Sequence, residues 1–240
     1  MNQQKHQEQN KFTFWFDGDF KDRLGEILPP EMQDDDFSIK DFERVKDPES
    51  KLIQPSSLEL SLGKEVFISS KKDLSLLNDK DKHISIPPGD FALLISREYI
   101  KIPNDCMGFI SIKSNYKFKG LINISGFHVD PCFEGKLIFS VFNAGTREVI
   151  LSYGYPIFIL FITYIRGKCK EAYKGEHKKQ RHIDVKYMES LMGAQIPLYD
   201  MAHRLRDVET KIKIFGGVLG GILIALIASL ISWLVFGSKN

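Results

Sequence analysis

The sequence predicts an all-β soluble domain followed by a helical segment and one membrane-spanning helix. Two patterns carry this reading. Between Leu52 and Ile165, short apolar runs rich in Val, Ile and Phe are punctuated by Gly, Pro, Asn and Asp, as in a sandwich or barrel of closely spaced strands. From Ile214 to Phe236 there is no charged residue. At about 1.5 Å per residue that run reaches roughly 34 Å as a helix, enough to cross a hydrocarbon core of about 30 Å.

From the N-terminus, residues 1–51 form an extension. MNQQKHQEQNK is polar and no long apolar stretch follows it, which argues against a secretory signal and for synthesis in the cytosol. FWFDGDFKDRLGEILPPEM has room for a short helix around Asp19–Ile27, and the stretch from Glu31 to Ser50 is expected to be loop-rich. Within the β domain, 52–165, strands are expected at Leu58–Leu62, Glu65–Ile68, Phe91–Ser96, Gly108–Ile112, Ile122–Ile124, Gly135–Asn143, Val149–Leu151 and Pro156–Tyr164.

A connector, 166–197, follows. Its first part, RGKCKEAYKGEHKKQRH from Arg166 to His182, is basic without an apolar period, so it is expected to lie in solvent or to meet anionic lipid headgroups. Over 198–213, Leu198, Met201, Leu205, Val208 and Ile212 recur at steps of three and four, the a/d seam of a coiled coil. Partner chains, the membrane helix beyond it, or the β domain itself would have to hold so short a helix. His203, Arg204, Arg206, Lys211 and Lys213 precede the span at 214–236 and only Lys239 follows it. That bias sets the β domain on the cytoplasmic side, as a single-pass, tail-anchored protein with Gly237–Asn240 emerging beyond. Gly216/Gly220 and Gly217/Gly221 have the spacing of close helix contact, although glycine is common in membrane helices.

A chain of 240 residues with 43% hydrophobic content can bury one ordinary core and carry appendages. The net charge of +2 hides acids near Asp34–Asp36 and bases between Arg166 and Arg181, so it does not identify a partner. Cys106, Cys132 and Cys169 are odd in number and far apart, which fits a reducing compartment and gives neither a disulfide framework nor a metal site. No metal site is expected, and nucleic acid is not expected among the partners.

Five segments, in order, resemble the trimeric dCTP deaminase and dUTPase family. QPSSLELSLG (Gln54–Gly63) is similar to its QPSS-[hydrophobic]-D-[hydrophobic]-RLG strand, and IPPGDFALLISREYIKIPND (Ile86–Asp105) to its Pro-Gly turn and following strand. GFISIKSNYKFKGL (Gly108–Leu121) corresponds to G-[KR]-S-S-L-[AG]-R-x-G-L, and GFHVDPCFEGKLIFSVFNAG (Gly126–Gly145) to GFIDPGFxGxxxLELxN. VILSYGYPIFILFITYI (Val149–Ile165) ends on a turn glycine and a final strand, as the family core does. The DPxFxG stretch is the most specific piece. The resemblance implies a distorted jelly-roll (dUTPase-like) barrel, a homotrimer, and nucleotide sites at the boundaries between chains.

The same resemblance assigns candidate roles. Asp130 falls where dUTPases keep the water-activating acid; an Asp before Pro131 also starts turns for structural reasons. Lys113 and Ser114 retain the start of the phosphate-binding motif, while Phe118 stands where an Arg is usual. Lys117 or Lys119 could meet phosphate as a point charge, without the Arg fork. Phe133 sits where an aromatic can lie against deoxyribose, or simply in the core. Ser140 replaces the proton-shuttling Glu of the deaminases, and Ile159 replaces the Gln of the last strand. A hydroxyl cannot serve as general acid and base in place of a carboxylate, so deamination is expected to be reduced or lost. The implied ligand is dCTP or dUTP, with Mg²⁺ carried by the triphosphate if the protein is active. A non-catalytic nucleotide-sensing or scaffolding trimer that controls its membrane helices, a pore included, is the rival expectation.

Overall fold

The computed structural model describes residues 13–171, 173–192 and 198–236. The polar start of the chain, the end of the connector at 193–197 and the expected far-side residues Gly237–Asn240 lie outside them. The chain divides into two compact units, Met1–Gln195 and Ile196–Asn240.

In the first unit, helix α1 (Asp17–Ile27) buries Phe20, Leu24 and Ile27, one face at helical spacing. The Asp19 carboxylate accepts the Phe16 N–H at 3.1 Å and so closes its first turn. Helix α2 (Ile39–Lys46) lies in the stretch expected to be loop. A reciprocal cap makes it: Ser38 Oγ accepts the Asp41 N–H at 3.3 Å and the Asp41 carboxylate accepts the Ser38 N–H at 2.9 Å. Only Phe42 and Val45 are buried from it, too short an apolar stripe to stand out in the sequence.

The strands are β1 (Ile53–Gln54), β2 (Ser57–Ile68), β3 (Leu74–Leu76), β4 (His83–Ile86), β5 (Phe91–Lys101) and β6 (Cys106–Ile112). A single turn, α3 (Ser114–Lys117), precedes β7 (Leu121–Asn123), β8 (His128–Val129), β9 (Glu134–Asn143), β10 (Val149–Ser152) and β11 (Pro156–Tyr164). The main sheet runs β7-β9-β5-β2-β11-β6-β8, with β1 and β3 also on β2, while β10 pairs with β4. All of these pairings are antiparallel. The result is a curled half-barrel of antiparallel strands, the all-β architecture expected.

Two expected strands fuse into one. Gly63 and Lys64, which look like a turn in the sequence, lie in the middle of β2 at a register shift between Leu62 and Val66. A Cβ on Gly63 would come within 2.9 Å of the Ser96 carbonyl oxygen, so the strand bends across β5 at a residue without one. β3 and β4 were not expected; both are short and polar-flanked.

The packed unit is broader than the 52–165 stretch. Trp15, Phe20, Leu24, Ile27 and Leu28 share one core with Leu58, Leu94, Phe139 and Phe158, and the Trp15 N–H donates to the Ile162 carbonyl at 2.7 Å. The acidic run is not a solvated face either. The Asp36 carboxylate accepts from Lys136 Nζ at 3.0 Å and the Tyr153 hydroxyl at 2.7 Å, and Lys136 also meets Asp34 at 3.1 Å.

The connector differs most from expectation. Its described residues fold back on the sheet, and helix α4 (Val185–Met192) ends them. Ile183 is buried in a small cluster with Phe67, Leu93 and Ile95, against which Tyr187, Met188 and Leu191 pack. Ile183, Tyr187 and Leu191, at helical steps of four just after the basic run, dock it.

In the second unit, α5 (Leu198–Phe236) is one helix of 39 residues, about 58 Å long at 1.5 Å per residue. The heptad segment and the apolar span are therefore continuous. Arg204–Trp233 is long and apolar enough to cross a membrane, by length and composition. Met201, Leu205, Val208 and Ile212 of the seam are exposed.

Candidate functional site

The turn between β8 and β9 builds one wall of the site. Phe133 N–H closes it on the Asp130 carbonyl at 3.1 Å, and the backbone of Cys132 and Phe133 hydrogen-bonds both sides of Ile102 at 3.1 and 2.9 Å. Cys132 takes a left-handed conformation, φ 62°. This geometry turns the Asp130 side chain outward, where it is 47% exposed and 3.7 Å from His128 Nε2. Phe133 turns inward and is buried.

A cavity of 360 Å³ opens beside this turn. The barrel supplies Asp130, Phe133, Leu137 and Ser140; the folded-back connector supplies Tyr173, His177 and Tyr187. The connector acts as a strap over the barrel wall. His182 Nδ1 lies 2.6 Å from the buried Glu65 carboxylate, which also accepts the Ile183 N–H at 2.7 Å. Gln180 Nε2 donates to the Lys136 carbonyl at 2.7 Å, and the Lys179 N–H to the Glu134 carbonyl at 2.7 Å.

Aromatic rings line the strap side. Tyr173 meets Phe133 edge-on at 5.6 Å, while Tyr187 stacks on His177 at 5.4 Å and approaches its Nδ1 at 3.2 Å through the hydroxyl. Burial, and then the Asp130 charge, push the Tyr173 hydroxyl above its usual pKa, so it stays a neutral donor at physiological pH. Among the described residues that line the cavity there is one carboxylate and no Lys or Arg. The chemistry on offer is apolar and aromatic surface for a flat ring, hydroxyl and imidazole groups to hydrogen-bond it, and a half-exposed carboxylate able to orient water.

The sequence-predicted residues fall into two places. Asp130 and Phe133 line the cavity, together with Ser140. Lys113, Ser114 and Lys117 do not. They belong to a second patch, across β2, β11 and β6, where Glu59, Ile159 and Ser111 lie in register. Lys113 Nζ sits 2.5 Å from Glu59 Oε2 and Lys117 Nζ donates to Ser111 Oγ at 2.7 Å, while Ser114 is exposed at the start of α3 and Phe118 is 89% exposed. Lys113 is already neutralised by a carboxylate of its own chain.

Sequence reasoning missed Glu59, Tyr173, His177 and Tyr187. Tyr173 and His177 carried one signal, an aromatic and an imidazole side chain inside a run rich in charges. Among the described residues, no group of three His, Cys, Asp or Glu side chains is placed to hold a metal ion.

The family model for dCTP deaminase-like domains matches residues 31–163. The dCTP deaminase of Thermococcus kodakarensis is 32% identical over 132 residues, covering 55% of this chain and 82% of that protein. The dCTP deaminase of Pyrococcus abyssi is 30% identical over 148 residues, covering 62% and 94%. Among solved structures, a 2'-deoxycytidine 5'-triphosphate deaminase from Agrobacterium tumefaciens matches 64% of this chain and 49% of its own, with a TM-score of 0.49 at 13% identity.

Proposed function

The chain belongs to the dCTP deaminase-like family, and from that premise we propose that it binds a deoxynucleoside triphosphate, dCTP or dUTP, beside Asp130, with deamination reduced or lost. Membership of the family supports a place in deoxyribonucleotide metabolism. Loss of deamination rests on one observation. Ser140, on the cavity wall with Asp130, occupies the position where the resemblance sets the proton-shuttling Glu. Deamination requires water to add at C4 of the cytosine ring and ammonia to leave, so a proton must be taken up and handed on at the same site. A serine hydroxyl, whose pKa lies far above neutrality, does neither efficiently. Asp130 retains the capacity to orient and deprotonate water for attack on a phosphoryl group, the chemistry of triphosphate hydrolysis.

The complete site is a homotrimer's. Among the described residues the cavity wall has no Lys or Arg for phosphates, while Lys113, Ser114 and Lys117 lie outside it. Joining the cavity of one chain to that patch of another supplies the cations, and Phe133 then lies against the sugar. Lys113 would exchange Glu59 for phosphate. Mg²⁺ arrives bound to the triphosphate as part of the substrate. The apolar run in α5 tethers the assembly to a membrane with the β domain in the cytoplasm.

A second reading is favoured by the strap. Residues 173–191 wall the cavity and precede α5 in the chain, so a bound nucleotide that touches both barrel and strap would report on the tether without being turned over. Both readings are tested by offering dCTP and dUTP to wild type, Ser140→Glu and Asp130→Ala and following uracil formation and phosphate or pyrophosphate release. Binding without product supports the sensing module; hydrolysis lost in Asp130→Ala supports the enzyme. Rapid dCTP deamination by wild type would overturn the assignment of Ser140.

A further inference from the structure

Two of the three cysteines have no part in the site's chemistry, yet the fold brings them to adjoining segments. The Cys132 N–H donates to the Ile102 carbonyl at 3.1 Å and the Cys169 N–H to the Asn104 carbonyl at 2.8 Å, so both hang from one short stretch of chain. The segments that follow them run side by side. Phe133 touches Tyr173 at 5.6 Å between ring centroids, Lys179 donates to the Glu134 carbonyl at 2.7 Å, and the Lys136 N–H to the Gln180 carbonyl at 2.8 Å.

Cys132 is also held at φ 62°, where glycine fits without cost and a side chain does not. Strain at such a position points to a role for the side chain rather than for the turn. Cys132 and Cys169 are both partly exposed, unlike the buried Cys106.

We propose that Cys132 and Cys169 are a thiol pair that closes to an intramolecular disulfide on oxidation, pinning the start of the strap to the cavity turn. Burial raises the Cys132 thiol pKa, and the neighbouring Cys169 raises it further. Protonated near neutrality, the Cys132 thiol stays reduced in a reducing cytosol and yields more of the reactive thiolate as the pH rises.

The oxidant is a low-molecular-weight disulfide such as glutathione disulfide. One cysteine thiolate attacks a glutathione sulfur, forming a mixed disulfide and releasing one glutathione. The second thiolate then attacks the protein sulfur of that mixed disulfide and displaces the other. The two thiol protons pass to the two departing glutathione sulfurs, the protein loses two electrons, and glutathione disulfide is reduced to two glutathiones. In a cytosolic protein such a bond is a redox signal rather than a staple. Its consequence is local: Tyr173, four residues beyond Cys169, becomes fixed against Phe133.

The test uses the full chain in detergent micelles and no nucleotide, so it stands apart from the nucleotide reading. The reduced protein is equilibrated with glutathione disulfide at pH 8.5, remaining thiols are alkylated, and peptides from a non-reducing digest are weighed. A Cys132–Cys169 crosslinked peptide is expected, with Cys106 still a thiol because burial pushes it up to about 12. Cys132→Ser and Cys169→Ser should each lose the crosslink and carry glutathione on the remaining partner. Separate glutathione adducts on both wild-type cysteines, a link between chains, or no oxidation of either would overturn the proposal. Hydrogen exchange at Tyr173–Leu191 should slow in the oxidised form, and equal rates in the two forms would refute the clamp.

Discussion

Replacing Asp36 with alanine should be among the most damaging single changes outside the cavity. The carboxylate has no exposed surface and compensates Lys136, whose side chain is 2% exposed, at 3.0 Å. It also accepts the Tyr153 hydroxyl at 2.7 Å and the Lys64 N–H at 3.3 Å. Without it, the ammonium keeps only Asp34, which is 26% exposed and 3.1 Å away. Breaking a buried pair by removing one partner costs about 3–5 kcal/mol. The partly exposed Asp34 moves the expectation to the lower end, while the orphaned Tyr153 hydroxyl adds about 1 kcal/mol that is not fully additive. A loss of roughly 3–4 kcal/mol is a large part of an ordinary domain's stability. The Asp36→Ala/Lys136→Met double variant should recover most of it, because no buried charge is left without a partner. Urea unfolding of the 1–195 unit, followed by Trp15 fluorescence, measures both. A single variant within about 1 kcal/mol of wild type, below the spread expected for any buried-charge loss, would show that Lys136 does not need the Asp36 carboxylate. So would a double variant less stable than the single.

Burial pushes the Glu98 carboxyl from 4.5 up to about 7, against the Ser61 N–H it accepts at 2.9 and 3.0 Å. The folded chain then holds a proton that the unfolded chain has released, so stability should be greatest below pH 4.5 as far as this group is concerned. It should fall by roughly 3 kcal/mol as the pH rises to 7, and Glu98→Gln should flatten that slope in urea titrations at several pH values. Cys132→Gly should raise the unfolding midpoint, by about 1 kcal/mol in free energy, since glycine adopts the positive φ without strain; a destabilised variant would show that the thiol packs better than the backbone suffers. Full-length protein should stay in the membrane pellet through carbonate extraction, and a chain stopped before Ile214 should not. Mixing Asp130→Ala chains with Lys113→Ala chains should restore part of the nucleotide turnover or binding that each lacks alone, as expected when one site draws on two chains; no restoration in verified mixed oligomers would count against the trimeric site.

The barrel was legible because its strands are apolar, β-branched and bounded by turn residues, and because DPCFEG and its neighbours stand in a recognisable order. Helix α2 was not, since two buried residues and a capping box make a weak stripe. Nor was the docking of the strap. Ile183 and Tyr187 find their partners on Phe67 and Leu93, ninety or more positions earlier by sequence number, and no local pattern encodes so distant a contact. Burial of Asp36 likewise depends on Lys136, one hundred residues away. Of the candidate site, the motif residues were readable individually, but their division into a cavity and a separate cationic patch appears only when β2, β11 and β6 are paired.

The proposed function requires the cavity beside Asp130 and Phe133 to take a deoxynucleotide without efficient deamination. Calorimetric titration of the full-length protein in detergent with dCTP, with aliquots drawn for uracil-containing product, tests both halves in one experiment. Saturable binding with deamination slower by orders of magnitude than in deaminases that keep a glutamate at this position is expected, since a missing general acid and base typically costs about 10²–10⁴ in rate. Absence of heat with dCTP and with dUTP alike, or stoichiometric conversion of dCTP within the titration, would contradict the account.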